Sequence, residues 1–391
     1  MKKILTLTAI ALVTIVACNK SGNTPQEAAI STQPAWVLDE TLPVPIEFGA
    51  GSNNIATKGV ALDAAAFETA TFDVLALDQA GAAMPGFEGG IPAQNELRDE
   101  APIYTIATFD EVKYYPYLLS AGYFSFYAYR VDGYHQELNA DNEIEDVEIG
   151  QNDIIWAEAK PTEAQLSALG LIDTSAEPAE TYDDYPGFNA KYVRAARAAA
   201  GGEENATYYD YLPNLAFSHL TSQIQFVLRA ADDTAAEKLA DAGVSVQSLV
   251  VGGVSTSATF DVVAGTLTGG DEGTIEIQNI PETFTDPEQF TITVAGDPCG
   301  EPIFILPMEF AAANEGIQMS LTISLPGMEP LVIEKVLTVP SHAVEAGVAY
   351  EFEAGVAYQY TIILQSVEEI EVVTSLADWG TPVNAGSIEI E

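Results

Sequence analysis

Residues 123–129 read YFSFYAY, an aromatic run that is typical of a central β-strand. Alternation of apolar and polar side chains with a period of two indicates further strands along the chain. These runs lie at residues 44–48, 71–77, 154–156, 223–228, 244–251, 274–280, 290–294, 319–325, 358–364, 369–373 and 387–391. Gly and Pro pairs between the runs supply turns. The sequence therefore predicts an all-β chain of antiparallel β-sandwiches.

Helical signals are brief. Residues 162–170 are one candidate helix, and residues 234–243 are a second. In the second, Thr234 and Glu237 have the spacing of a capping box, and Gly243 is a C-terminal stop.

The length of 391 residues predicts two domains, since single hydrophobic cores stop growing near ~250–300 residues. The predicted boundary follows the small-residue tract at 195–202, which we expect to be flexible, and precedes the strand pattern that restarts at residue 214. We therefore expect domains at 36–212 and 213–391.

Charge and composition exclude two classes of protein. The chain carries 14 Lys and Arg against 58 Asp and Glu, a formal net charge of −44, which repels phosphate backbones and excludes nucleic-acid binding. A hydrophobic fraction of 48% with only 18% charged residues is enough apolar material for folded cores, which excludes a disordered chain.

The N-terminus predicts a membrane anchor. Lys2 and Lys3 precede an apolar run at 4–17, which is too short to span a ~30 Å hydrocarbon core and fits a signal peptide over residues 1–17. Ala17-Cys18 resembles the end of a bacterial lipobox, so Cys18 is the expected lipidation site. Asn19 at the next position favours the outer membrane, and residues 18–35 predict a flexible tether.

The residues that could perform catalysis lack the sequence context of a catalytic site, which favours structural roles for them. His135, His219 and His342 have no Gly-x-Ser-x-Gly elbow and no evident partner carboxylate in the sequence, which disfavours a hydrolase. Cys299 lies in a Pro/Gly-flanked turn with no nearby His. The acidic run at 141–148 lacks the Gly that an EF-hand requires, which favours a solvated loop. We expect no enzyme activity, no cofactor and no metal site.

The motifs together resemble the fimbrillin family, the lipoprotein pilins of type V pili. The resemblance depends on their order along nearly the whole mature chain. The motifs are the lipobox at Cys18, the strand at 43–50 followed by Thr57-Lys58-Gly59, FSFYAY at 124–129, NDIIWA at 152–157, LAFSHL at 215–220 and Trp379-Gly380.

This resemblance implies two transthyretin-like β-sandwich domains in tandem, without catalysis. It also implies assembly by donor-strand exchange, in which a surface protease cuts after a basic residue that follows the first strand. The emptied groove then accepts the C-terminal strand of a neighbouring subunit.

Transferred to this chain, the displaced strand carries Val44, Ile46 and Phe48, and the donor strand carries Ile388 and Ile390. The cut falls between Lys58 and Gly59, where the family usually has Arg. Arg194 and Arg197 are competing protease sites.

The expected function is therefore that of a structural or adhesive subunit of surface fimbriae on the cell outer membrane. Its partners would be other fimbrial subunits, the outer membrane through its lipid, and a host or bacterial surface ligand. One alternative is a non-polymerising outer-membrane lipoprotein that binds a glycan or protein through the aromatic loop at 182–188, beside Asp183 and Asp184. A β-sandwich hydrolase is a further alternative.

Overall fold

The computed structural model describes residues 34–49, 71–98, 104–116, 122–131, 135, 137–203, 206–339, 350–366 and 370–377. These residues all belong to one compact unit, Gln33–Glu391. Within them, every helix is too short or too polar to cross a bilayer.

Strands dominate the described chain. They are β1 Phe48–Gly49, β2 Thr71–Asp78, β3 Ile91–Arg98, β4 Tyr104–Thr108, β5 Phe124–Val131, β6 Glu143–Glu148, β7 Ile154–Ala159, β8 Ser218–His219, β9 Ser222–Ala230, β10 Ser245–Ser255, β11 Ser257–Asp261, β12 Thr266–Gly269, β13 Glu272–Glu276, β14 Asp297–Pro298, β15 Ile303–Ile305, β16 Met308–Phe310, β17 Gly316–Ser324, β18 Leu331–Thr338, β19 Tyr350–Phe352, β20 Ala357–Leu364 and β21 Ile370–Ala377. The helices are α1 Ala35–Leu38, α2 Glu163–Ala168, α3 Ala190–Ala199, α4 Ala206–Tyr211, α5 Asp233–Asp241 and α6 Glu282–Thr285, with a 3-10 turn at Tyr182–Asp184. The all-β prediction is confirmed.

The aromatic run indicated by the sequence lies at the heart of the first sheet. This sheet has seven strands in the order β1-β4-β3-β2-β5-β7-β8, all paired antiparallel. Phe124, Phe126 and Ala128 of β5 are buried on one face, as the period-two pattern predicts.

Two sheets in the second half of the chain form a sandwich. One has the order β13-β10-β17-β18, and the other has the order β14-β9-β20-β21, with β15 also paired to β9. Leu249 and Leu321 from the first of these sheets share one hydrophobic cluster with Phe226 and Tyr360 from the second. The β9–β20 pairing is parallel, in contrast to the wholly antiparallel sandwiches that the sequence predicts.

The predicted domain boundary at residue 212 is crossed by a small sheet of order β12-β11-β6. In it, β11 pairs with β6, joining residues 257–261 to residues 143–148. Nearby, the Trp156 indole donates a 2.7 Å hydrogen bond to the Val262 carbonyl oxygen. The division into 36–212 and 213–391 stays a prediction, and these contacts join the two parts.

Both predicted helices are present, but one begins earlier than expected. α2 has a complete capping box between Thr162 and Gln165. α5 is capped by the Asp232 side chain, which accepts from the Ala235 amide at 2.8 Å. The expectation that Thr234 caps this helix was wrong, because Asp232, another strong N-cap residue, stands two positions earlier.

Two local expectations are corrected by the structure. The small-residue tract is not flexible throughout, because alanine favours helix and Asn189 caps α3 by accepting from the Tyr192 amide at 3.0 Å. Residues 290–294 form no ladder strand, although Phe290 and Ile292 are buried. Their alternation reflects burial and not strand pairing.

Candidate functional site

The segment at residues 44–49, called here the first-strand segment, buries one of its two faces. Val44, Ile46 and Phe48 are 1%, 4% and 0% exposed, whereas Pro45 and Glu47 between them are half-buried. This alternation is the one that the sequence predicts for a strand against a core.

The backbone of this segment is hydrogen-bonded on both sides. On one side, the Ile46 amide donates to the Lys113 carbonyl at 2.8 Å, and the Tyr115 amide donates to the Val44 carbonyl at 3.0 Å. On the other side, the Gly49 amide donates to Pro213 at 3.0 Å, and the Leu215 amide donates to the Gly49 carbonyl at 2.9 Å.

We call the surroundings of the segment the first-strand groove: residues 107–115 and 213–215 line its two sides, and the Tyr208 hydroxyl contacts Glu47. The segment ends in β1, at the edge of the seven-stranded sheet. An edge position matters because a strand can leave it without breaking the pairings between the other strands of that sheet.

Phe48 is the largest side chain that the segment places in the core. Its ring lies 4.8 Å from that of Phe126 at an interplanar angle of 89°, and 5.8 Å from that of Phe109. Phe126 belongs to β5, which three strands separate from β1 in the sheet order. The sheet therefore curves, and the first-strand segment packs against strand β5 of the same sheet.

Helices α3 and α4 supply a polar contact to the same segment. The Tyr208 hydroxyl of α4 donates to the Glu47 carboxylate, and the Arg197 guanidinium of α3 lies 4.5 Å from the centre of the Tyr208 ring. Burial, followed by the negative charge of Glu47, raises the pKa of Tyr208 well above its ordinary value. Tyr208 therefore stays protonated and acts as the donor.

Arg194 of α3 holds the chain just before the first-strand segment. Its guanidinium donates to three backbone carbonyl oxygens, those of Trp36 at 2.9 Å, Glu40 at 3.2 Å and Leu42 at 2.8 Å. Arg194 and Arg197, named above as competing protease sites, thus lie in a helix, where Arg194 contacts the chain before the first-strand segment and Arg197 contacts Tyr208. The sequence gives no sign of these contacts, which join residues more than 150 positions apart.

Several sequence-predicted site residues lie outside the described residues. They are Cys18, Lys58, Gly59, His342, Ile388 and Ile390. Their roles in lipidation, cleavage and strand donation stay predictions.

Two histidines have carboxylate partners that sequence reasoning missed. His135 Nδ1 lies 2.7 Å from Asp73, and the buried His219 Nδ1 lies 2.9 Å from Asp153. The Thr221 hydroxyl donates to this same Asp153 carboxylate at 3.4 Å. The hydroxyl thus points at the acid and not at the imidazole, unlike a nucleophile–base–acid triad. The sequence alone does not indicate these two His–Asp pairs, because their members are 62 and 66 residues apart.

Cys299 and the acidic run have structural environments. Cys299 is a free, buried thiol, and burial raises its pKa to about 12, which disfavours the reactive thiolate. The expected acidic loop at 141–148 was wrong from residue 143 onward, since β6 buries Ile144 and Val147 there. Among the described residues, no cluster of three His, Cys, Asp or Glu could hold a metal ion.

The aromatic loop at 182–188 keeps two of its three rings away from solvent, and the third ring, that of Tyr182, is half-buried. Tyr185 and Phe188 are 3% and 1% exposed, and the Tyr185 hydroxyl donates to the Asn189 side chain at 2.6 Å. These rings pack within the core cluster of the first sheet.

The structure thus defines an all-β protein with a strand-filled groove at a sheet edge. Residues 198–379 match a family model described as fimbrillin-like. This match covers slightly less than half of the chain and confirms the resemblance to the fimbrillin family predicted from the motifs. A search of curated proteins gives no match.

Several solved structures are similar to the chain at low identity. A candidate cell adhesion protein from Bacteroides uniformis is 19% identical, with a TM-score of 0.46, covering 86% of this chain and 98% of its own. A similar protein from Bacteroides ovatus is 14% identical, with a TM-score of 0.46 and coverage of 88% and 100%. The fimbrial anchor protein Mfa2 from Porphyromonas gingivalis is 9% identical, with a TM-score of 0.36 and coverage of 86% and 98%.

Proposed function

We propose that this protein is a structural subunit of surface fimbriae, exported as a lipoprotein and assembled by protease-triggered donor-strand exchange. The observation that carries the proposal is the first-strand segment, which buries alternate side chains in a groove at a sheet edge. The fimbrillin-like match supports the fimbrial assignment.

The proposed sequence of events begins at the membrane. Acyl chains on Cys18 anchor the exported chain to the outer membrane, with residues 18–35 as the tether. A protease then cuts between Lys58 and Gly59, beyond the first-strand segment in the sequence. This single cut separates both the lipid and the first-strand segment from the rest of the chain.

Loss of the first-strand segment leaves an edge that favours a replacement strand. The Tyr115 amide and the Lys113 and Pro213 carbonyl groups lose their partners, and the pocket of Phe48 is exposed. An incoming strand restores these hydrogen bonds by β-augmentation. In this proposal, Ile388 and Ile390 of a neighbouring subunit enter the groove, each contributing roughly 1.5–3 kcal/mol before ordering costs.

The same chain has both a removable first strand and a candidate donor strand. A subunit with both can accept one neighbour and donate to another, which suits a position within the fimbrial stalk. Its partners are then other fimbrial subunits, with the outer membrane contacted only before cleavage.

Replacing Lys58 with glutamine is expected to block processing. Wild-type filaments should begin at Gly59, whereas the Lys58→Gln chain should keep its acylated Cys18 and remain a membrane-bound monomer. N-terminal sequencing and mass spectrometry of surface material, with electron microscopy, would measure both effects. Lys160→Gln is the control, since the Lys160 side chain is 51% exposed and forms a surface ion pair with Glu158.

Two outcomes would count against this proposal. Filaments that retain an acylated Cys18 would contradict cleavage as the trigger. A wild-type chain that stays lipidated and monomeric would instead favour the non-polymerising binding lipoprotein.

A further inference from the structure

We infer that the first-strand groove recognises one acidic residue of the incoming strand. The carboxylate of that residue accepts a hydrogen bond from the Tyr208 hydroxyl, and the Arg197 guanidinium packs against the Tyr208 ring. The strand that fits has a carboxylate flanked on both sides by apolar side chains. This inference rests on the proposed donor-strand exchange and specifies which strand the groove selects.

The resident strand shows what the groove accepts. Ile46 and Phe48 point into the core, while Glu47 between them receives the hydrogen bond from Tyr208. Tyr208 is fully buried, and its hydroxyl is therefore costly to leave without an acceptor. The position opposite Tyr208 thus favours a polar acceptor at one register of the strand.

The surroundings of Tyr208 favour a charged acceptor over a neutral one. The Arg197 guanidinium, on a residue 5% exposed, lies 4.5 Å from the centre of the Tyr208 ring and places a positive charge over that ring. Hydrogen bonds from a hydroxyl to an ionised carboxylate are stronger than those to a neutral acceptor. In a chain with net charge −44, which repels carboxylates in general, this is a local site that attracts one.

The C-terminal residues of a second copy have the matching pattern. Glu389 stands between Ile388 and Ile390, as Glu47 stands between Ile46 and Phe48. The sequence Ile-Glu-Ile reads the same in both directions, so the acid meets Tyr208 whichever way the strand enters. The other Ile-Glu-Ile of the chain, at 275–277, is already committed to its own sheet through β13 and β10.

Strand displacement would measure this recognition in the full mature chain. The chain, cut after Lys58, is mixed with a peptide of residues 379–391, and release of the fragment containing Glu47 is followed by native mass spectrometry. Peptides with Glu389→Gln and Glu391→Gln are compared with the wild-type peptide. Glu391 is the matched control, since within this peptide its one apolar neighbour is Ile390.

We expect the Glu389→Gln peptide to need ~10- to 100-fold higher concentration for displacement, and the Glu391→Gln peptide to match wild type. In a Tyr208→Phe chain, whose fold is checked by circular dichroism, the penalty for Glu389→Gln should disappear. A Glu47→Gln chain gives a second measurement that leaves Tyr208 in place. The fragment of this variant should be displaced by a ~10- to 100-fold lower concentration of the wild-type peptide than the wild-type fragment needs.

The possible failures are distinguishable. If all three peptides displace the fragment equally, or if the penalty persists in Tyr208→Phe, recognition of the acid is overturned while strand exchange stands. If no peptide releases the fragment at any concentration, the proposed function fails and this inference fails with it.

Discussion

Replacing Phe48 with alanine is expected to weaken retention of the first-strand segment by about 3–5 kcal/mol. The Phe48 ring is fully buried and packs edge-on against Phe126 and Phe109. Alanine removes these contacts and leaves a cavity that the curled sheet closes only in part. In the chain cut after Lys58, the affinity for the released fragment should therefore fall more than ~100-fold, since 1.4 kcal/mol is a factor of ten.

Pro43→Ala is the matched control for this experiment, because Pro43 is exposed at the start of the same stretch. Its fragment should be retained within a few-fold of wild type. Fragment dissociation followed by native mass spectrometry measures both variants. Equal retention of the Phe48→Ala and Pro43→Ala fragments would show that the core contacts of Phe48 do not hold the strand.

Gly265→Ala is expected to have the second large effect, at the contact between the two parts of the chain. Gly265 has a φ of +65°, and a Cβ there would lie 2.6 Å from the Trp156 indole, which is anchored to the Val262 carbonyl. The substitution combines about 1–2 kcal/mol of left-handed backbone strain with about 1–3 kcal/mol of overpacking. Urea unfolding should show a lower free energy of unfolding.

Gly170→Ala separates these two costs. Gly170 has a nearly identical φ of +64°, but nothing lies within 4 Å of the added Cβ. The Gly170→Ala substitution should lower the free energy of unfolding by only the ~1–2 kcal/mol that left-handed backbone strain costs. If both variants lose the same stability, the indole moves aside freely and the Trp156–Val262 contact does not hold the two parts together.

The strands of this fold could be predicted because burial leaves a local pattern. The run at 123–129 and the alternation of Val44, Ile46 and Phe48 are visible in the sequence without any knowledge of their partners. Residues 290–294 show the limit of this reasoning, since alternate burial of Phe290 and Ile292 arises there without strand pairing.

The polar contacts of the groove could not be predicted, because they join distant residues. The Arg194 contacts to the chain around Trp36 and the Tyr208 contact to Glu47 depend on how the helices α3 and α4 pack. No local pattern encodes that packing. The His219–Asp153 pair and the pairing of β6 with β11 could not be predicted either, because they also join residues that are far apart in the sequence.

Donor-strand exchange requires that the first-strand segment can be replaced while the rest of the sheet stays folded. This can be measured by hydrogen–deuterium exchange of the chain cut after Lys58, with its own fragment isotope-labelled, with and without excess unlabelled peptide of residues 36–58. We expect the labelled fragment to be replaced while the amides of β5 stay protected from exchange. Replacement that occurs only when β5 loses its protection, or no replacement at all, would show that the first-strand segment is not a separable part of this sheet.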